Sequence, residues 1–156
     1  DVIVVARGGG AVEDLLPPTS LVLEVGNVIG IAGPVSCRTG LALALSGRLG
    51  ITSGRARVAG ELLPGAATAV HRRTRYTDLA GNPAALALLR PVPGSVVFVD
   101  SVETIDVGDE RLTELISRFR SDGTSALVLC ASSESILDAL PVDGVLVVDQ
   151  PVRSIR

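Results

Sequence analysis

Apolar positions along the chain fall into short runs separated by breaks rich in glycine, proline and serine. Val28-Ile29-Gly30-Ile31-Ala32 is a continuous apolar run closed by Gly33-Pro34, the pattern of a strand covered on both faces of a parallel sheet. Ser95 to Asp100 is a second such run and ends in an acid; Ser125 to Leu129 and Gly144 to Val148 are a third and a fourth. Val2 to Val5, closed by Gly8-Gly9-Gly10, and Leu21 to Val25 read as further strands, and the alternating Arg55 to Ala59 reads as an edge strand closed by Gly60. Helical spacing is clearest where Leu112, Leu115, Ile116 and Phe119 recur three and four residues apart. It predicts a helix from Glu110 to Ser121, capped by Asp109 and ended by Asp122-Gly123.

The Leu/Ala segment Leu41 to Leu49 predicts a helix that follows a loop and stops at Gly50, and Ser133 to Leu140 predicts a shorter one. Between Glu61 and Gly94 the pattern is weak: it suggests a strand at Arg73 to Thr77 and a short helix opened by Asn82-Pro83 and running to Leu89. Alternating strands and helices imply an α/β fold, a mostly parallel sheet flanked by helices with an antiparallel edge, in a single domain over 1–156.

Composition narrows the function. With 47 % hydrophobic and 20 % charged residues and a mean hydropathy of +0.47, the chain must collapse around a core. Fourteen basic against 17 acidic residues leave a net charge of −3, and the densest basic cluster is His71-Arg72-Arg73-Thr74-Arg75. No nucleic-acid footprint is expected from that balance. The cluster reads as a solvated basic face, with an acidic partner or lipid headgroups as the functional alternative. All 14 basic residues are arginine, so any mechanism that needs a lysine is closed. Cys37 and Cys130 are isolated and accompanied by one histidine, which excludes a disulfide scaffold or a Cys/His zinc site and suits a reduced, cytoplasmic setting. Cys37 is expected as a small buried residue, with a low-pKa thiol at a helix start as the alternative. The longest charge-free apolar stretch, Val25 to Cys37, is too short and too broken by Gly26, Gly30, Gly33 and Pro34 to span a bilayer. No charged-then-apolar leader is visible, and a soluble chain is expected.

The order strand, Gly33-Pro34-Val35-Ser36-Cys37-Arg38-Thr39-Gly40, helix is where a phosphate-binding P-loop would sit. The run from Leu23 to Pro34, the helix end Leu45-Ser46-Gly47-Arg48-Leu49, the segment Thr52-Ser53-Gly54-Arg55-Ala56-Arg57-Val58-Ala59-Gly60 and the strand Val96 to Asp100 together resemble the ATP-binding cassette (ABC) ATPases. The resemblance implies a P-loop NTPase fold, ATP and Mg²⁺ as the ligands of such a site, and a membrane protein or transporter subunit as partner. By the same resemblance Gly33, Ser36, Cys37, Arg38, Thr39 and Gly40 form the phosphate loop, and Asp100 holds Mg²⁺ when nucleotide is bound.

The chemistry departs from that family. Against G-x-x-x-x-G-K-[ST] only Gly33 matches; Arg38, Thr39 and Gly40 stand at the second glycine, the lysine and the hydroxyl. A register one residue shorter puts Arg38 at the lysine and Thr39 at the hydroxyl, yet a planar guanidinium is not a compact ammonium. Ser101 stands where the resemblance implies a catalytic glutamate, and Glu103, two residues further along a turn, is expected to point elsewhere. The interval from Gly33 to Asp100 is several tens of residues shorter than the family uses, and the missing part corresponds to the helical subdomain with its LSGGQ signature. Leu45-Ser46-Gly47 only ends a helix, so no signature-closed ATP-sandwich dimer is expected. The resulting expectation is a degenerate cassette, a pseudo-ATPase that acts as an interaction or regulatory partner of a membrane protein, at the inner face of the membrane through that partner. The alternatives are a slow ATPase and a nucleotide sensor that does not hydrolyse.

Overall fold

The computed structural model of the chain describes residues 4–7, 20–23, 25–50, 55–63, 65–106 and 108–148. Its main sheet is parallel and is built from β3 (Val28–Ala32), β6 (Thr74–Asp78), β7 (Val96–Asp100), β8 (Ala126–Ala131) and β9 (Gly144–Val147), in the order β6-β7-β8-β3-β9. β3, β7 and β8 are buried at every position, as their unbroken apolar runs require. A second, antiparallel sheet is formed by β1 (Val4–Arg7), β2 (Ser20–Leu23), β4 (Arg55–Val58) and β5 (Glu61–Leu63), in the order β2-β1-β4-β5. Of the stretch Val2 to Val5, Val2 and Ile3 lie outside the described residues, as do Gly8-Gly9-Gly10, Glu24 of the stretch Leu21 to Val25, and Thr52, Ser53 and Gly54.

Pleat alternation sends the two faces of the parallel sheet to different helices. Val96, Phe98, Val128 and Cys130 join the core that includes Cys37, Leu41, Ala42 and Leu45 of α1 (Val35–Leu45). Val97, Val99, Leu127 and Leu129 join the core of Leu112, Leu115, Ile116 and Phe119 from α3 (Glu110–Asp122) and Leu137 from α4 (Glu134–Asp138). α3 has the expected spacing and caps: the Asp109 carboxylate accepts from the Arg111 N–H at 2.9 Å, and Gly123 ends the helix with φ +68°. Arg111 beside it holds the Asp109 carboxyl at about 2.

Several elements differ from the sequence reading. β4, read as an edge strand, lies between β1 and β5 in the antiparallel sheet. α1 begins at Val35 and ends at Leu45, whereas the sequence pattern suggests a loop through Gly40 and a helix over Leu41 to Leu49. Pro34 carries the first turn, its carbonyl accepting from the Cys37 and Arg38 N–H groups at 2.9 Å, and the burial of Cys37 and Arg38 outweighs the weak helix propensity of Thr39 and Gly40. Gly47, at φ +72°, takes the left-handed conformation that stops the helix early, and only glycine fits there, since a Cβ would lie 2.5 Å from the Ala67 carbonyl oxygen. β5 and α2 (Ala67–Arg72) fill the stretch where the pattern is weak, and the helix from Pro83 to Leu88 is of the tighter 3-10 kind. The whole connection from Asp78 to Val96 holds that 3-10 helix alone, with no helical subdomain.

Candidate functional site

Ligand sites of open α/β sheets lie beyond the carboxyl ends of the parallel strands. Here β3, β6 and β7 end at Ala32, Asp78 and Asp100, and α1 follows β3 after Gly33 and Pro34 alone. Arg38, in the first turns of α1, is drawn back over the strand ends and buried to 1 % exposure. Its Nε donates to Asp100 Oδ1 at 3.1 Å, one terminal nitrogen donates to the Gly33 carbonyl at 2.9 Å, and the other to Glu103 Oε1 at 2.6 Å.

Asp100 is fully buried and accepts from three other donors. The Ser101 N–H reaches Oδ1 at 2.8 Å, while Thr39 Oγ1 and the Tyr76 hydroxyl reach Oδ2 at 2.5 and 2.7 Å. Parallel pairing explains the tyrosine: Tyr76 is opposite Phe98 and Asp78 opposite Asp100, so Tyr76 and Asp100 share a face one pleat apart. Ser101 adopts φ +61°, a left-handed conformation, and opens a 3-10 turn, Val102–Thr104. That turn swings Glu103 back to Arg38, correcting the expectation that it would point elsewhere.

Among the residues read as a phosphate loop, Gly33 follows β3, Arg38 and Thr39 meet Asp100, and Cys37 is buried in the α1 face of the core. Ser36 is exposed, and Gly40 lies within the helix. Tyr76 and Glu103 belong to the cluster although the sequence reading places neither in it. For Tyr76 the available signal was its place one pleat before the end of a strand that neighbours β7. His71, Arg72 and Arg75 are exposed on the α2–β6 junction, in line with a solvated basic face. Among the described residues no group of three or more His, Cys, Asp and Glu side chains is placed to hold a metal ion, and no helix is long and apolar enough to cross a membrane.

Burial and the Asp100 carboxylate push the Tyr76 hydroxyl well above the ordinary tyrosine value. Burial does the same to the Cys130 thiol, with Asp100 adding to it. A raised folded-state pKa means that both groups stabilise the fold while protonated. This contribution declines as pH rises past their unfolded values, about 10 for the tyrosine and about 8.5 for the thiol. Tyr76 is the chain's one tyrosine, so tyrosinate absorbance reports directly on it. In an alkaline titration followed by absorbance and circular dichroism, tyrosinate is expected to form together with unfolding; ionisation near the ordinary value with the fold intact would mean that Tyr76 is not held against Asp100.

No protein-family model matches the chain, and no curated protein matches it significantly. Solved structures do. CbiO1 from Clostridium perfringens, part of the ABC transporter complex CbiONQ, superposes with a TM-score of 0.65 at 12 % identity, covering 96 % of this chain and 85 % of that one. The ADP conformation of MJ1267, an ATP-binding cassette of an ABC transporter, gives 0.63 at 13 % identity over 95 % of this chain and 87 % of its own. A bacterial Atm1-family ABC exporter with ATP bound gives 0.61 at 14 % identity, over 95 % of this chain and 36 % of the exporter. The parallel sheet, its flanking helices and the small antiparallel sheet are common ground: this chain has the fold of the ATP-binding cassette ATPases.

Proposed function

We propose that the chain is a nucleotide-binding-domain fold turned to interaction, a pseudo-ATPase that serves a membrane protein or transporter subunit as a docking or regulatory partner. The observation that carries this reading is the self-occupied site, where Arg38 lies on Asp100. Four donors on two carboxylate oxygens use the acceptor capacity of Asp100. A Mg²⁺ ion there would have to displace a buried guanidinium and lie beside its charge, so the donor set does not suit a metal–nucleotide complex. With only Gly33 and Pro34 between β3 and α1, few backbone N–H groups are left to curl around phosphates. The structural neighbours include a part of an ABC transporter complex and a cassette of an ABC transporter, which supports a membrane protein as the partner class.

Thermal melting with millimolar ATP or ADP, with and without Mg²⁺, tests the first half. A site with a Kd tenfold below the nucleotide concentration would add about 1.4 kcal/mol, or roughly 3–6 °C at this chain length. No shift is expected, and a Mg²⁺-dependent rise would overturn the reading. Slow hydrolysis is the competing reading, favoured by the Thr39–Asp100 contact; Mg²⁺-dependent turnover that vanishes in Asp100→Asn would establish it. For the second half, the chain is expected to sediment with native membranes, to lose that property once the membranes are shaved with protease, and to ignore protein-free vesicles. Equal binding to vesicles would remove the protein partner.

A further inference from the structure

The junction of α2 and β6 carries a cationic face that the buried site does not use. His71 and Arg72 end α2, Arg73 follows as its C-cap, and Arg75 lies on β6; His71, Arg72 and Arg75 are exposed, and the Arg73 side chain is 56 % exposed. Among the described residues the one carboxylate paired with them is Glu61, 3.7 Å from Arg73. Arg48 stands close enough for the Arg75 charge to lower its pKa further, after burial, the larger cause. A local excess of positive charge is therefore left uncompensated in a chain whose net charge is −3.

We propose that this face binds an acidic, extended peptide segment of a partner protein, an inference that rests on the interaction reading above. Arg75 and the neighbouring Arg48 are held in place: an Arg75 terminal nitrogen donates to the carbonyls of Arg72 and Thr74 at 3.3 and 3.0 Å, and Arg48 to the Ser46 carbonyl and Thr74 Oγ1 at 2.9 and 2.8 Å. Anchored guanidinium forks suit bidentate carboxylates and cost less side-chain entropy on binding than free chains. The same residues flank a sheet edge, since among the described residues β6 pairs with no strand but β7; along that edge the Thr74 and Asp78 carbonyls already accept from Arg75 and Asn82, so pairing is confined to the backbone between them. An extended peptide can pair its backbone with such an edge while its carboxylates meet the arginines; a lipid headgroup supplies only the charge. Leu62, at 52 % exposure on neighbouring β5, is too little apolar surface for insertion into a bilayer.

The test is fluorescence anisotropy of a labelled hexaglutamate peptide titrated with the full chain at low and high salt, beside sedimentation with phosphatidylglycerol vesicles. Wild type is expected to bind the peptide in a salt-sensitive way. Arg72→Glu/Arg75→Glu should weaken binding by roughly tenfold or more, while Arg90→Glu, an exposed arginine elsewhere, should bind as wild type. Unchanged melting midpoints keep folding out of the comparison, and Arg72→Glu alone serves if the double variant melts early. No binding, or equal loss in Arg90→Glu, overturns the proposal, as does vesicle binding that the peptide fails to displace. A nucleotide-dependent melting shift would sink the pseudo-ATPase reading without altering the anisotropy result, so the two failures are distinguishable.

Discussion

Arg38→Met should cost about 3–5 kcal/mol of stability in urea unfolding, one of the largest losses available to a single side chain outside the apolar core. Met roughly keeps the stem of the side chain and removes the guanidinium, leaving Asp100 charged at 0 % exposure. Thr39, Tyr76 and the Ser101 N–H would still donate to it, yet neutral donors do not replace a counter-charge in a dry site. Glu103, whose side chain is 25 % exposed, would lose its partner too, and its Oε2 is already buried without a hydrogen bond, which adds to the cost. The companion is Arg38→Met/Asp100→Asn. The amide that replaces the carboxylate carries no charge, so the double variant should be about as stable as Arg38→Met or more so, a coupling of roughly 1 kcal/mol or more by double-mutant cycle. Strict additivity would mean that the two groups do not depend on one another.

That dependence also explains how far the chain could be read without coordinates. The buried strands were plain because β3, β7 and β8 are apolar at almost every position and buried at all of them. α3 was plain because its four large apolar residues share one face and its caps are written in Asp109 and Gly123. α2 was hidden, since six residues with one buried side chain, Val70, carry no periodicity, and β5 is three residues long. The site was half legible. Arg38, Thr39 and Asp100 stood out by their place in a familiar layout, but an inward turn of Arg38 is a tertiary event. It moves the start of α1 back to Val35 and converts a segment read as a loop into helix. Tyr76 and Glu103 join through sheet register and a left-handed Ser101, neither of which has a local signature.

Gly33→Ala should destabilise the fold by roughly 3 kcal/mol, combining overpacking with backbone strain. At φ +155° its Cβ would lie 2.2 Å from the carbonyl oxygen of Val148, a contact that only a backbone shift can relieve. Val148 cannot easily withdraw, because its N–H donates to the Ala32 carbonyl at 2.8 Å and ties the end of β9 to β3. Gly33 cannot withdraw either: its N–H donates to the Ala131 carbonyl at 3.0 Å, and its own carbonyl accepts from Arg38 at 2.9 Å. Gly60→Ala is the control. It too has a positive φ, +83°, and no atom within 4 Å of the added Cβ, so it should cost only about 1 kcal/mol of strain. Urea unfolding of the two variants separates the clash from the strain, and equal losses would refute the packing account. The expected difference bears on function as well. Gly33 is the one residue that matches the phosphate-loop pattern in its simplest register, and its contacts with Val148, Ala131 and Arg38 demand glycine with no phosphate involved. Its presence is therefore no evidence for nucleotide binding, and the site's chemistry rests on Arg38 and Asp100, which already hold one another.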